Sequence, residues 1–194
     1  IKILPAEADQ GIVFKRTDLN KNNIINANYI NVSSAKLCTT LENKFGVRVS
    51  TVEHLLAAFY ISGIDNVIIE IDSEEVPIMD GSAAVFVNEI QKQNLKELSK
   101  KRKYLRVLKK VDLEDGEKRI SIEKGNSSLE VKFNLDYKNK IINKQTNKIN
   151  FQNDDLEDVI KSRTFCLYED IEKIKKLGLA KGGSLENALV VDKD

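Results

Sequence analysis

Apolar positions along this chain recur at two different periods. Gly11-Ile12-Val13-Phe14 predicts a strand, and residues 37–49 hold short alternating pieces, broken at Asn43 and Gly46, that predict a small ribbon. From residue 52 the period lengthens. Val52, Leu55, Leu56 and Phe59 stand at i, i+3, i+4 and i+7, so a helix with one apolar stripe is expected, ending at Gly63. Ser50 and Glu53 have capping-box spacing just before it, with Thr51 as the alternative cap. Val67 to Ile71 predicts a strand between Asp65-Asn66 and Asp72-Ser73. Asp80-Gly81-Ser82 predicts a turn that caps a second helix, with Ala83, Phe86, Val87 and Ile90 on its core face.

The charged run Lys96 to Lys103 reads as a linker and places a domain boundary there, giving domains over residues 1–99 and 100–194. Beyond it, strands are expected at 104–111 and 119–123, with a turn at Asp115-Gly116. Leu129, Val131, Phe133, Leu135 and Tyr137 alternate strictly, the strongest strand signal in the chain. Residues 138–150, rich in Lys and Asn, are expected as an exposed loop or insertion. Helices follow at 154–162 and 169–177, the second burying Ile171 and Ile174 with Leu177 and stopping at Gly178. Gly182-Gly183 reads as a turn before a last strand at 188–191. Strands and helices mix without a regular βαβ rhythm, which predicts an α+β fold in two layers.

Composition narrows the function classes. With 194 residues, 41% of them apolar, the chain can bury a real core, and a net charge of +1 calls for no nucleic acid partner. Cys38 and Cys166 lie far apart without metal spacing, so a reducing compartment is the simpler reading. The longest apolar stretch, Leu55 to Ile61, is roughly seven residues against the ~20 of a membrane helix. Ile1-Lys2-Ile3-Leu4-Pro5 lacks the apolar core of a signal peptide, so a soluble cytoplasmic protein is expected. Lys173, Lys175 and Lys176 read as a solvated face that leaves room for contact with a membrane surface. The opening on Ile1 and the stop soon after Ala188-Leu189-Val190-Val191 make both ends look cut.

The chemistry-bearing residues are few. His54 is the one histidine, beside Glu53 at the start of the first helix. At 100° per residue the apolar stripe centres near Val52 and Phe59, which puts Glu53, His54 and Ala57 on the other side. That argues against a core histidine. A surface histidine remains the bland alternative, and Glu53 could be only the cap partner of Ser50.

Several segments form a set. They are Lys36-Leu37-Cys38-Thr39, Ser50-Thr51-Val52-Glu53-His54-Leu55-Leu56-Ala57-Ala58, Gly63-Ile64-Asp65-Asn66 and Val76-Pro77-Ile78-Met79-Asp80-Gly81-Ser82-Ala83. Ser162-Arg163-Thr164-Phe165 and the stretch from Leu177-Gly178-Leu179 through Gly182-Gly183-Ser184-Leu185 complete it. In this order, nearly end to end, the set resembles the UDP-3-O-acyl-N-acetylglucosamine deacetylases, zinc hydrolases of bacterial lipid A synthesis.

The resemblance implies two similar two-layer α/β sandwich domains, the second incomplete here, with zinc and UDP-3-O-acyl-N-acetylglucosamine between them. His54 maps to a zinc ligand and Glu53 to the general base that takes a proton from zinc-bound water. A catalytic zinc keeps an open position, lowers its water's pKa to roughly 7 and polarises the scissile carbonyl. Thr164 maps to the hydroxyl that helps stabilise the tetrahedral oxyanion, and Phe165 to an aromatic that packs on the uridine. Leu37 and Cys38 map to the wall beside the metal. Leu167 and Ile171, with Ile174, map to the passage for the fatty acyl chain, in the second domain. Asp80 maps to a motif aspartate near the site, whose bland reading is helix capping. Core or turn roles are the alternatives for Thr164, Phe165, Leu167 and Ile171, and Gly182-Gly183-Ser184 could either offer N–H groups to a phosphate or form a plain turn.

The chain departs from the family at both ends. The family's opening Gly-Leu-His-Ser-Gly-like stretch is missing, and so are its remaining zinc ligands, a histidine and an aspartate, and the histidine proposed as general acid. The expectation is therefore a fragment of a zinc-dependent deacetylase that is inactive by itself. The alternative is a non-catalytic nucleotide-sugar and acyl-binding homologue without metal.

Overall fold

The structure, a computed structural model, describes residues 1–125, 128–176, 178 and 180–192. By internal contacts the chain divides into one unit of residues 1–100 with 157–194, and a second of 101–156. Helices and several small sheets mix in an α+β arrangement.

In the first unit the strands β1 (Lys2–Pro5), β2 (Ile12–Arg16) and β3 (Ile24–Asn26) precede a small meander of β4 (Val32–Ser34), β5 (Thr40–Glu42) and β6 (Arg48–Ser50). Helix α1 (Glu53–Ile61), strand β7 (Val67–Ile71) and helix α2 (Ala84–Gln91) follow. The main sheet has the order β1-β7-β2-β3. Its central pair β2 and β7 is parallel, and both outer pairs are antiparallel. A parallel pair needs a long crossover, and here it carries the meander and α1 together. The predicted helical stripe forms the core: Val52, Leu55 and Phe59 are fully buried, and Leu56 packs at the edge of the cluster. Burying a side chain such as Leu55 or Phe59 stabilises by about 1.5–3 kcal/mol. Phe86, Val87 and Ile90 of α2 meet them, with Phe14 and Ile69 from the sheet.

The expected capping box does not form. Val52 starts α1 without a side-chain cap. The Ser50 hydroxyl donates instead to the Glu74 carbonyl at 3.1 Å. Thr51, at φ 59°, turns the chain between β6 and α1, so Ser50 stays in register with the strand-like segment at 74–76. The capping-box spacing is right, but the long-range pairing takes the hydroxyl.

The second unit holds two hairpins. Strands β8 (Val111–Asp115) and β9 (Lys118–Ile122) pair across the expected Asp115-Gly116 turn, where Gly116 has φ 59°. Strands β10 (Glu130–Asp136) and β11 (Lys144–Asn150) pair over seven residues. Two expectations are corrected here. Residues 101–110 form no regular element, and Tyr104 and Leu105 are exposed. The apolar residues of 104–111 suit a strand, but a strand also needs a neighbour for its N–H and C=O groups, and none pairs with this segment among the described residues. Conversely, part of the expected loop at 138–150 is β11. Its Lys and Asn side chains need no core, because the neighbouring β10 supplies the hydrogen-bond ladder.

The chain returns to the first unit with α3 (Glu157–Lys161), β12 (Phe165–Leu167), α4 (Ile171–Lys176) and β13 (Leu189–Val191). Strands β12 and β13 are parallel partners, Phe165 opposite Leu189 and Leu167 opposite Val191. Helix α4 buries less than expected, since Ile171 and Ile174 are only half-buried. Leu177, expected with them, lies outside the described residues, as does Leu179. No helix among the described residues is long and apolar enough to cross a membrane.

Candidate active site

The first half of the site is the junction of β6 and α1. Thr51 adopts the left-handed conformation, which costs a non-glycine residue about 1–3 kcal/mol and persists only where neighbours hold it. Those neighbours are identifiable. Ser50 N donates to Glu74 O at 2.7 Å, Val76 N donates to Ser50 O at 3.1 Å, and the Thr51 hydroxyl donates to Glu75 Oε1 at 3.1 Å. The Arg16 side chain, 6% exposed, lies behind this lacing. It donates to both Asp18 carboxylate oxygens at 2.8 and 2.6 Å and to the Arg48 carbonyl at 2.8 Å, and it approaches Glu74 at 3.8 Å. The hydrogen bond from Arg16 holds the Asp18 carboxyl below its ordinary range.

Because Val52 and Leu55 turn into the core, Glu53 and His54 lie half-buried on the opposite side of the helix start. Glu53 Oε1 accepts a hydrogen bond from Thr39 N. This contact brings the Leu37–Cys38 segment to Glu53. Leu37 is exposed at φ 68°, and the Cys38 sulfur lies 3.9 Å from the Thr40 hydroxyl. Glu53 Oε2 is buried and has no hydrogen-bond partner among the described residues. A buried carboxylate oxygen left unpaired costs on the order of 1–3 kcal/mol or more, so this oxygen is free to accept a further hydrogen bond.

The second half is built on Asp80. Its Oδ1 accepts from Ser82 N at 3.1 Å and Ser82 Oγ at 2.9 Å, and Ser82 Oγ in turn accepts from Ala84 N at 3.0 Å where α2 opens. Asp80 therefore shapes the turn that caps the helix. Gly81, at φ +85°, sits so close to another backbone segment that a Cβ there would meet the Asn187 carbonyl oxygen at 1.8 Å. From the same turn, Gly81 O accepts from Thr164 N at 2.8 Å, and Thr164 O accepts from Leu189 N at 3.0 Å. Arg163 spans the same gap, its Nε donating to Asp80 O at 2.9 Å and its Nη2 to Glu186 O. Thr164 is thus held by its backbone on both sides. Arg163 was legible only as a motif residue, and Glu75 carried no signal, because their partners are distant carbonyls and hydroxyls.

Strand β12 and helix α4 carry the remaining candidates. Phe165 is 36% exposed, and Leu167 and Ile171 are half-buried. Burial, with a smaller contribution from Asp170, pushes the Cys166 thiol above its ordinary value. Gly183 N donates to Ala180 O at 2.9 Å and Ser184 N to Asn187 Oδ1 at 2.8 Å, so these N–H groups close the turn rather than face a phosphate.

The structure brings Leu37, Cys38 and Glu53 together through Thr39, and Asp80 and Thr164 together through Gly81. The residues do not make a whole zinc site. His54 supplies the chain's one imidazole, and no group of three or more His, Cys, Asp or Glu among the described residues is disposed to hold a metal ion. They offer one imidazole, with the Glu53 carboxylate next to it in sequence.

All 194 residues match the family model LpxC: UDP-3-O-acyl N-acetylglycosamine deacetylase. The UDP-3-O-acyl-N-acetylglucosamine deacetylase of Saccharophagus degradans is 43% identical over 196 residues, covering 100% of this chain and 64% of that protein. Those of Actinobacillus succinogenes and Haemophilus ducreyi are 42% and 36% identical, each over 99% of this chain and 64% of the relative. The chain therefore spans about 64% of the length of the curated relatives it matches. With the match running from end to end, the chain belongs to the LpxC family, the UDP-3-O-acyl N-acetylglycosamine deacetylases.

Proposed function

We propose that this chain carries the base and one metal ligand of a zinc-dependent deacetylase, which hydrolyses the N-acetyl group of UDP-3-O-acyl-N-acetylglucosamine in cytoplasmic lipid A synthesis. The observation that carries the reading is the Glu53 carboxylate, with one oxygen anchored on Thr39 N and the other buried without a partner among the described residues, next to the chain's one histidine. A carboxylate fixed in this way can accept the proton of a water as its oxygen attacks the amide carbon. It can then pass that proton towards the amine as the C–N bond breaks, releasing acetate. His54 is proposed as one ligand of the zinc.

The other roles follow the family pattern. The Thr164 hydroxyl donates to the oxyanion, Phe165 packs on the uracil ring, and Leu167 and Ile171 hold the acyl chain. Leu37 and Cys38 wall the site, and Asp80 sets the turn that anchors Thr164. The architecture proposed with it is a pair of two-layer sandwiches over residues 1–99 and 100–194, for which the charged run Lys96 to Lys103 is the support. The second reading is a homologue that keeps the nucleotide-sugar and acyl pocket and does no chemistry.

The test uses the chain extended to the relatives' length. Glu53→Ala is expected to keep zinc and lose roughly 10²–10⁴-fold in turnover, whereas His54→Ala is expected to lose zinc. Full zinc occupancy in the His54 variant overturns the ligand assignment. Substrate binding without turnover in the unsubstituted protein selects the binding homologue.

A further inference from the structure

Glu75 stands outside every role given above, yet its carboxylate touches two parts of the site. Oε1 accepts the Thr51 hydroxyl at 3.1 Å and the Ala180 N–H at 3.3 Å. Thr51 is the left-handed residue that aims the chain into Glu53 and His54, and Ala180, itself at φ 51°, opens the turn that closes on Gly183. The backbone of Glu75 is also fixed, since Ser50 and Glu75 form a parallel bridge and both Glu74 and Val76 bond to Ser50. One carboxylate oxygen on an immobilised backbone therefore joins the peptide before the base to the segment that follows α4.

We propose that Glu75 is a positioning residue of this site. It holds Thr51 in its left-handed turn and so sets the direction of Glu53 and His54. Through Ala180 it also sets where the segment carrying Leu167 and Ile171 ends relative to them. A substrate held by its acyl chain at one end and attacked at the other needs that spacing, because a displacement near 1 Å can cost roughly 10²-fold in rate. In its meaning for substrate this inference rests on the proposed function, but the mechanical coupling does not.

The experiment uses the chain as it is. A single histidine gives a single imidazole signal in the NMR spectrum, so His54 reports its own surroundings without assignment by elimination. Glu75→Ala removes the shared acceptor, Glu75→Gln keeps it as an amide oxygen, and Glu75→Asp withdraws it by one methylene. In Glu75→Ala the Ala180 amide is expected to exchange roughly five- to ten-fold faster, as befits one lost hydrogen bond, and the His54 signal to move. In Glu75→Gln both are expected to return to the wild-type values, a rescue that a charge effect would not give. Should the alanine variant not fold, Glu75→Asp carries the comparison and is expected to show the same two changes in a folded chain. An unmoved His54 signal in a folded variant that has lost the Ala180 contact overturns the proposal, as does a glutamine variant that behaves like alanine.

The zinc content of His54→Ala in the chain extended to the relatives' length tests the metal assignment separately, and the Glu75 effects stand or fall independently of it.

Discussion

Replacing Gly81 by alanine tests the packing that brings Asp80 and Thr164 together. Two costs add. At φ +85° any Cβ is strained, by about 1–3 kcal/mol. The new methyl would also lie 1.8 Å from the Asn187 carbonyl oxygen, where ordinary C···O contacts begin near ~3.3 Å. The 184–188 turn cannot simply retreat, because Arg163 holds Glu186 O and the Asn187 side chain donates to Gly182 O at 2.8 Å. Overpacking against backbone so anchored costs about 1–3 kcal/mol, giving about 2–6 kcal/mol in total once the backbone strain is added. Gly11→Ala is the control. It lies in the same unit at φ +72° with nothing within 4 Å, so it carries the backbone cost alone. Thermal and urea unfolding followed by circular dichroism are expected to place Gly81→Ala roughly 5–10 °C below Gly11→Ala. Equal losses in the two variants would refute the close approach of Gly81 and Asn187, and with it the account of how Thr164 is positioned.

Two further outcomes concern charge and metal. Asp18 titrates below its ordinary range because Arg16 donates to it, so their pair stabilises fully above the unfolded carboxylate pKa of ~3.9 and loses its contribution as pH falls below that. Asp18→Asn is therefore expected to melt below wild type at pH 7, with the two melting temperatures converging towards pH 2; a gap unchanged at pH 2 would count against the pair. Supplied with zinc, the 194-residue chain is expected to release no acetate from UDP-3-O-acyl-N-acetylglucosamine, since one histidine falls short of the three protein ligands of a catalytic zinc site. Turnover with zinc would mean a ligand set drawn from other residues.

Periodicity along the chain was enough for the elements whose signal is local. The 52–59 stripe, the apolar run Val67–Ile71 between its turn residues and the Asp115-Gly116 turn each depend on residues a few positions apart, and each appears where expected. Which side of α1 bears Glu53 and His54 also followed from the 3.6-residue period, because the apolar stripe alone decides the rotation of the helix. Other features depended on partners far away in sequence. Ser50 bonds to Glu74 instead of capping α1, and β11 forms from a polar stretch because β10 lies beside it. The 104–110 segment, expected as a strand, stays irregular for want of a neighbour among the described residues. The same holds within the site: the Thr39–Glu53 hydrogen bond, the Gly81–Asn187 approach and the Glu75 bridge join residues 14 to 106 positions apart. A hydrogen bond or a steric contact has no period, so pattern along the chain cannot carry it. Only the folded arrangement decides which carbonyl, hydroxyl or carboxylate is within reach.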